Sequence, residues 1–339
     1  MNASVGRGIS TSISKRLNEK PFAGTDYVGM WYEARRRHGV DDNMWFGFYE
    51  NGEPVPNWHR RSHRFGDGLG GLSVLLRERG HDCGPLPSSR SMKQPDWREL
   101  WRTRRPLDVP ATAIDWNHLD ASRKYSQSHV PVSLVLTPEQ TLQVESAARA
   151  AGVSSTIWLL WTADRAVRTT LADAKSVMSW VFPVNLRGAV DCGDPVMNHC
   201  SGLMVRVSGK TAPGSLKEQI SARFARHEHW RQWIALTIGR YIGQFGINIL
   251  YRLVQAPAGR HTGSYSNLGE WNVPFLDALT CSAPGSPAYP VAVSTVLCNG
   301  RRTLACRLHP VIGGSSERAI ELLTLWRELS CTTESLSGW

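Results

Sequence analysis

The chain has 339 residues, of which 41% are hydrophobic and 20% charged, with a formal charge of +10. That length and apolar content support a sizeable core, in two lobes or one large α/β unit, and exclude a disordered or low-complexity chain. The positive charge is either a solvated basic face or a field for an anionic partner, such as a phosphate-bearing cosubstrate or an acidic carrier protein. No zinc-finger spacing, RNP-like motif or long basic helix accompanies it, so nucleic acid is not the expected partner.

The first 60 residues carry aromatics without clear periodicity, and strands are expected over 44–49 and running into Ser62 and His63. Apolar positions over 69–79 fit one helical face, so His63 falls where a strand ends and a helix begins. A surface crossing follows, with a short helix near 97–102 and paired arginines at Arg104 and Arg105. "HVPVSLVL" alternates as a strand, Thr137 and Glu139 open a helix that Gly152 closes, and "STIWLLWTADRAVRTTLA" reads as a buried helix. "SVMSWVFPVNLRG" and "CSGLMVRVSG" are further strands, and the stretch after Ser215 has helical spacing.

The most apolar long stretch, over 233–255, is interrupted by Arg240, Arg252 and three glycines. It is expected to be a buried helix pair or a lipid-facing lid rather than a membrane span. "GSYSNLGEW" is a strand, Asn299-Gly300 is a strong hairpin signal within 291–308, and a helix over 316–329 closes the chain. The mixed order after Val130 points to an α/β fold of layered α+β lobes.

Seven cysteines, at 83, 192, 200, 281, 298, 306 and 331, show neither C-x-x-C nor metal-ligand spacing. They read as reduced thiols, and with no apolar secretory core near the N-terminus the expected location is cytoplasmic.

Within "WHRRSHRFGDGLGG" three readings compete for His63. A metal site would need further ligands, and His227 and His229, two apart on a helix, point to different faces, so no metal is expected. A structural histidine would be half-buried and locally hydrogen-bonded. A catalytic histidine, near pKa 6.5 when free, could accept a proton from a hydroxyl or amine if something fixed its ring. Asp67 could hold the loop, and Gly68 at a helix start would bring backbone N–H groups to developing negative charge.

"SHRFGDG" resembles the HHxxxDG signature of the chloramphenicol-acetyltransferase-like superfamily, which includes condensation domains, polyketide-associated acyltransferases and wax ester synthase/diacylglycerol acyltransferases. "FPVNLRGAVDCGDPVMNHCSGLMVRV", "YSNLGEW" and the closing hairpin and helix follow in that superfamily's order. The resemblance covers roughly 130–329 plus the His63 segment. Ser62 replaces the first histidine, Met197 replaces a glycine, and the Asp-Phe-Gly-Trp-Gly segment is not recognisable.

The resemblance implies two chloramphenicol-acetyltransferase-like subdomains, 1–125 and 126–339, forming a pseudo-dimer around a tunnel, with the first lobe shortened. It implies an acyltransferase using an acyl-CoA or a phosphopantetheine-linked acyl thioester as cosubstrate, with no tightly bound cofactor and a small-molecule or lipid acceptor. An acyl or peptidyl carrier protein is the implied partner, and the chain would act as a monomer. His63 would be the general base, while Gly68 N–H, Asn198, or Ser266 with Asn267 would hold the oxyanion. Asp67 would be structural and pair with an arginine, Arg187, in a loop that also holds Asn185. The alternative is a catalytically silent condensation-like domain that docks a carrier protein or recruits a partner enzyme. The asparagines can equally be loop formers, His199 should face away from the site, and Trp158, Trp161 and Trp180 fit the core.

Overall fold

The computed structural model describes residues 26–89, 93–103, 113–125 and 128–332. The extreme N-terminus and the Arg104–Arg105 pair lie outside the described residues. Helix α1 (Tyr27–Arg37) is capped by Asp26, whose Oδ1 accepts from Gly29 N at 2.8 Å, and its last turn carries Arg35, Arg36 and Arg37 against the negative end of the helix dipole. No helix was expected here, because the apolar residues of α1 form no stripe.

Strands β1 (Asn43–Tyr49) and β2 (Asn57–Ser62) pair as a hairpin with Asn43 opposite Ser62. A one-turn 3₁₀ segment, His63–Phe65, leads into α2 (Gly68–Glu78), and α3 spans Trp97–Arg102. Next come β3 (Val132–Val135), α4 (Pro138–Ala150), α5 (Ser155–Thr170), β4 (Met178–Asn185) and β5 (Cys200–Val207). Helices α6 (Pro213–Ala225), α7 (Glu228–Leu236) and α8 (Gly239–Val254) precede β6 (Gly263–Trp271) and β7 (Ala278–Ser282). The chain closes with β8 (Val291–Cys298), β9 (Arg301–Leu308) and α9 (Ser316–Cys331). At the β8–β9 turn Asn299 and Gly300 take φ of 49° and 76°, the left-handed geometry that an Asn-Gly hairpin turn requires.

The architecture is the expected mixed α/β one, built on two sheets of unequal size. The smaller has the order β2-β1-β7 and the larger β3-β9-β8-β6-β4-β5. In the larger sheet β6 runs parallel to both β4 and β8, and the other neighbours are antiparallel. Strand β7, which the sequence did not announce, joins β1 across the chain with Trp45 opposite Ser282. Leu72, Leu75 and Leu76 of α2 pack on Phe46 and Phe48 of β1, in a core that also takes Leu268 and Cys281. The larger core gathers Trp158, Trp161, Trp180 and Trp326 between the sheet and helices α4, α5 and α9. The three tryptophans read as core residues are thus buried there.

The apolar segment over 233–255 is not buried. It splits into α7 and α8 around Thr237, α8 is kinked at Gly243, and only Gly239 and Ile247 of α8 are fully enclosed. Burial fails because one side of α8 seats on α1 and, among the described residues, no element covers the other. Among the described residues no helix is long and apolar enough to cross a membrane.

Several of the arginines are paired with carboxylates. Arg302 is 3% exposed and reaches Glu145 at 2.5 Å, and the buried Arg307 pairs with the buried Asp41. Arg61 and Arg64 pair with Glu78 and Glu33. Each of these pairs sets one positive charge against one negative, so the net charge of +10 is left to the remaining basic residues.

Candidate active site

A cavity of about 100 Å³ opens where the two sheets meet. His63, Asp67, Gly68 and Leu69 line it from the β2–α2 junction, Met44, Cys281 and Ala283 from the smaller sheet side, and Pro183, Asn185, Arg187, Cys200, Ser266, Asn267 and Leu268 from the larger sheet side. The candidate residues from distant parts of the sequence thus meet at one place, except Asn198, which stands behind the histidine.

His63 is placed by its backbone and fixed by its ring. Its N–H donates to Asp42 O at 2.8 Å, and Ser62 Oγ, which donates to Asp42, accepts from Arg64 N at 3.3 Å. Ser62 therefore ties down the turn. The ring stacks on Tyr32 of α1, with centroids 3.8 Å apart and planes 9° from parallel. Nδ1 lies 2.8 Å from Asn198 Oδ1.

The tautomer follows from the rest of that network. Asn198 Nδ2 donates to Asp26 Oδ2 at 2.8 Å and to the carbonyl of His63 at 2.9 Å, which fixes the amide with Oδ1 toward the ring. Since Oδ1 can only accept, Nδ1 must donate, and Nε2 carries the lone pair. Burial pushes the His63 pKa down to about 4, so the ring is neutral at pH 7. Burial likewise raises Asp26 to about 6, against the hydrogen bonds from Asn198 and Gly29 that favour its charged form. At neutral pH an Asp26 carboxylate, the Asn198 amide and the His63 imidazole form one chain.

Asp67 is 4% exposed and caps α2. Its Oδ1 accepts from Gly70 N at 3.0 Å and from Arg187 Nη2 at 2.6 Å, and its Oδ2 accepts from His199 N at 3.0 Å. Arg187 is itself buried, and gives its Nε to Pro195 O at 2.8 Å and Nη1 to Asn185 Oδ1 at 3.3 Å. Asp67 and Arg187 therefore join the β2–α2 junction to the loop after β4.

Asn185 is committed to that loop, since its Nδ2 also donates to Pro87 O at 2.7 Å. Asn198 has both amide hydrogens engaged, so it is not an oxyanion donor but the acceptor that orients His63. Asn267 gives Nδ2 to Thr156 Oγ1 at 2.7 Å and accepts from Gly269 N at 2.9 Å, and so shapes the irregularity in β6. His199 is buried, with Nδ1 3.0 Å from Met197 O. Among the described residues no cluster of potential metal ligands occurs.

At the start of α2, Gly70 N is taken by Asp67 Oδ1 and Gly71 N by Asp67 O. Gly68 N and Leu69 N, as the first two helical amides, have no acceptor within the helix and lie beside His63 on the cavity wall. Gly70 lets the start of α2 pack on the backbone at Val196, since a Cβ there would stand 1.9 Å from Val196 O. The two cavity thiols are not competing nucleophiles. Burial pushes Cys200 up to about 12 and Cys281 further, so neither is a thiolate at neutral pH.

Asp26, Tyr32, Cys200 and Cys281 were not foreseen from the sequence. Asp26 offered only a cap signal before a helix that has no apolar stripe, and Tyr32 offered none. A second cleft, of about 530 Å³, lies on the far side of the His63 turn and is lined by Arg36, Arg60, Arg64, Asp41 and Asp42.

No protein-family model matches the chain, and no curated protein does. Solved structures do match. The epimerization domain from the third module of tyrocidine synthetase B is 14% identical, with a TM-score of 0.44 over 81% of this chain and 67% of that one. Polyketide synthase associated protein 5 from Mycobacterium tuberculosis is 15% identical, with a TM-score of 0.49 over 83% and 74%. The wax ester synthase/diacylglycerol acyltransferase from Marinobacter aquaeolei VT8 is 11% identical, with a TM-score of 0.45 over 80% and 66%.

Proposed function

We propose that the chain is an acyltransferase that moves an acyl group from a CoA or carrier-protein thioester to a hydroxyl or amine. The observation that carries this reading is the pairing of a neutral, oriented His63, its Nε2 lone pair free, with the unclaimed amides of Gly68 and Leu69 on one cavity wall. Nε2 takes the acceptor's proton as its oxygen or nitrogen bonds to the thioester carbonyl carbon. The resulting oxyanion is held by the Gly68 and Leu69 amides. When the intermediate collapses, the C–S bond breaks and the proton on Nε2 passes to the departing sulfur. The Asp26 carboxylate, acting through Asn198, favours the transient imidazolium.

Met44, Leu69, Leu268 and Ala283 give the cavity apolar surface for an acyl chain. The cleft beside the His63 turn offers the exposed Arg60 to the phosphates of CoA or phosphopantetheine, Arg36 and Arg64 there being shared with Glu33. Asp67 and Arg187 act by holding the frame.

One observation favours a silent docking domain instead. The cavity, at about 100 Å³, is smaller than the ~300–1,000 Å³ of most small-molecule sites. Thiol release by the wild-type protein from a panel of acyl-CoAs and acyl-loaded carrier proteins, with simple alcohols and amines as acceptors, separates the two readings. Release above the protein-free rate supports the acyltransferase. Carrier binding without release from any donor supports the docking domain.

A further inference from the structure

Helix α8 carries an outward apolar face beside a run of sequence with no acidic residue. Phe245, Ile249 and Leu253, spaced four apart on one side of α8, are 78%, 50% and 75% exposed, and Tyr241 one turn earlier is 74% exposed. The opposite side is seated: Gln244 Nε2 donates to Met30 O at 3.0 Å, and the ring of Tyr251 stacks on His38 at 5.5 Å, both on or beside α1. Single exposed apolar residues are ordinary, but a continuous helical face of this size calls for an occupant.

Charge selects the occupant. No Asp or Glu occurs between Glu228 and Glu270, while Arg240 and Arg252 are exposed within the same helix. Arg240 lies over the ring of Tyr241, 4.6 Å from its centroid, so a cation and an aromatic are presented together. The Glu33 carboxylate of α1 is taken by Arg36, Arg37 and Arg64 and does not offset this field. An apolar face with aromatics and arginines, without acids and on a helix too short to span, is the pattern of a helix that lies in a membrane interface.

We infer that α8 is a docking surface for an anionic lipid bilayer, with Phe245, Ile249 and Leu253 entering the acyl boundary and Arg240 and Arg252 meeting lipid phosphates. The kink at Gly243 turns the first turn of α8 away from the rest, and this lets Tyr241 sit at headgroup level while the later turns lie in the plane. This inference is independent of the acyl-transfer chemistry.

The test is flotation of the full chain with vesicles of phosphatidylcholine alone and of phosphatidylcholine with phosphatidylglycerol. The protein is expected to float with the anionic vesicles and to release at high salt. Phe245→Asp combined with Leu253→Asp should lower the bound fraction at least ~10-fold, with circular dichroism unchanged. Arg240→Gln combined with Arg252→Gln should weaken binding to anionic vesicles by about fivefold per arginine and leave binding to neutral vesicles unchanged. Absence of flotation with either vesicle, or equal flotation of the wild type and both double variants, overturns the inference. So does saturable binding to an acidic carrier protein that the Phe245/Leu253 variant loses, without any vesicle binding.

Discussion

Asn198 Oδ1 accepts the Nδ1 proton of His63 at 2.8 Å, while both hydrogens of its amide are committed to Asp26 and to the His63 carbonyl. The asparagine therefore sets which ring nitrogen is basic. Asn198→Ala frees the ring and strands the Asp26 carboxyl. The expected result is a fall in kcat of about 10²-fold with KM for the thioester little changed, as measured by thiol release.

Asp67 and Arg187 form a buried ion pair, 5% exposed on each side chain, with further backbone bonds on both partners. Replacing one partner leaves the other without its counterpart in a desolvated site. Asp67→Asn should cost about 3–5 kcal/mol in urea unfolding. Abolished chemistry in a variant of unchanged stability would overturn the structural role assigned to Asp67.

Gly70 lies where α2 meets the backbone at Val196. A methyl group there has no flexible neighbour to displace, so Gly70→Ala should destabilise by about 1–3 kcal/mol. The same variant should lower kcat by moving the Gly68 and Leu69 amides, with KM little changed, as measured by steady-state kinetics.

His63 is depressed to about 4, and Asp26 is raised to about 6. The base form of His63 is therefore full at pH 6.5, and kcat/KM should not fall with an ordinary histidine pKa. A shallow decline should begin near pH 6, where Asp26 loses its charge, with the steep loss nearer pH 4. Asp26→Asn should remove the shallow part. A single full inflection at 6.5 in the pH–rate profile would contradict this assignment.

His229 is 1% exposed, both of its ring nitrogens lack a hydrogen-bond partner among the described residues, and burial lowers its pKa to about 4. The unfolded chain thus binds a proton near 6.5 that the folded chain refuses until about 4. Stability is expected to fall as pH drops through that window. His229→Leu should shrink the difference in Tm between pH 7 and pH 5.

The legible parts of the fold were those with strong local signals. The Asn299-Gly300 turn, the Thr137 helix start and the strands β3 and β5 each follow from short-range chemistry, and the structure places them as expected. Helix α1 was hidden because its stability comes from contacts with α8 and with His63 rather than from its own apolar pattern. Strand β7 was hidden because its partner is β1, at the other end of the chain. At the site, spacing and motif order brought out His63, Asp67 and Arg187, but not the use of Asn198, since a side chain's role depends on which of its atoms are already bonded. Asp26 and Tyr32 reach His63 only through the tertiary fold. Nothing in the sequence marks Arg302 as buried, because its partner Glu145 lies far away in the chain, on α4.

The central claim is that His63 acts as the base in acyl transfer. It is tested most directly by comparing His63→Ala with wild type in thiol release against the acyl-CoA and acyl-carrier panel, with circular dichroism confirming the fold. The account predicts a fall of about 10²–10⁴-fold on the donor that wild type uses best. Equal rates for the two proteins would contradict it.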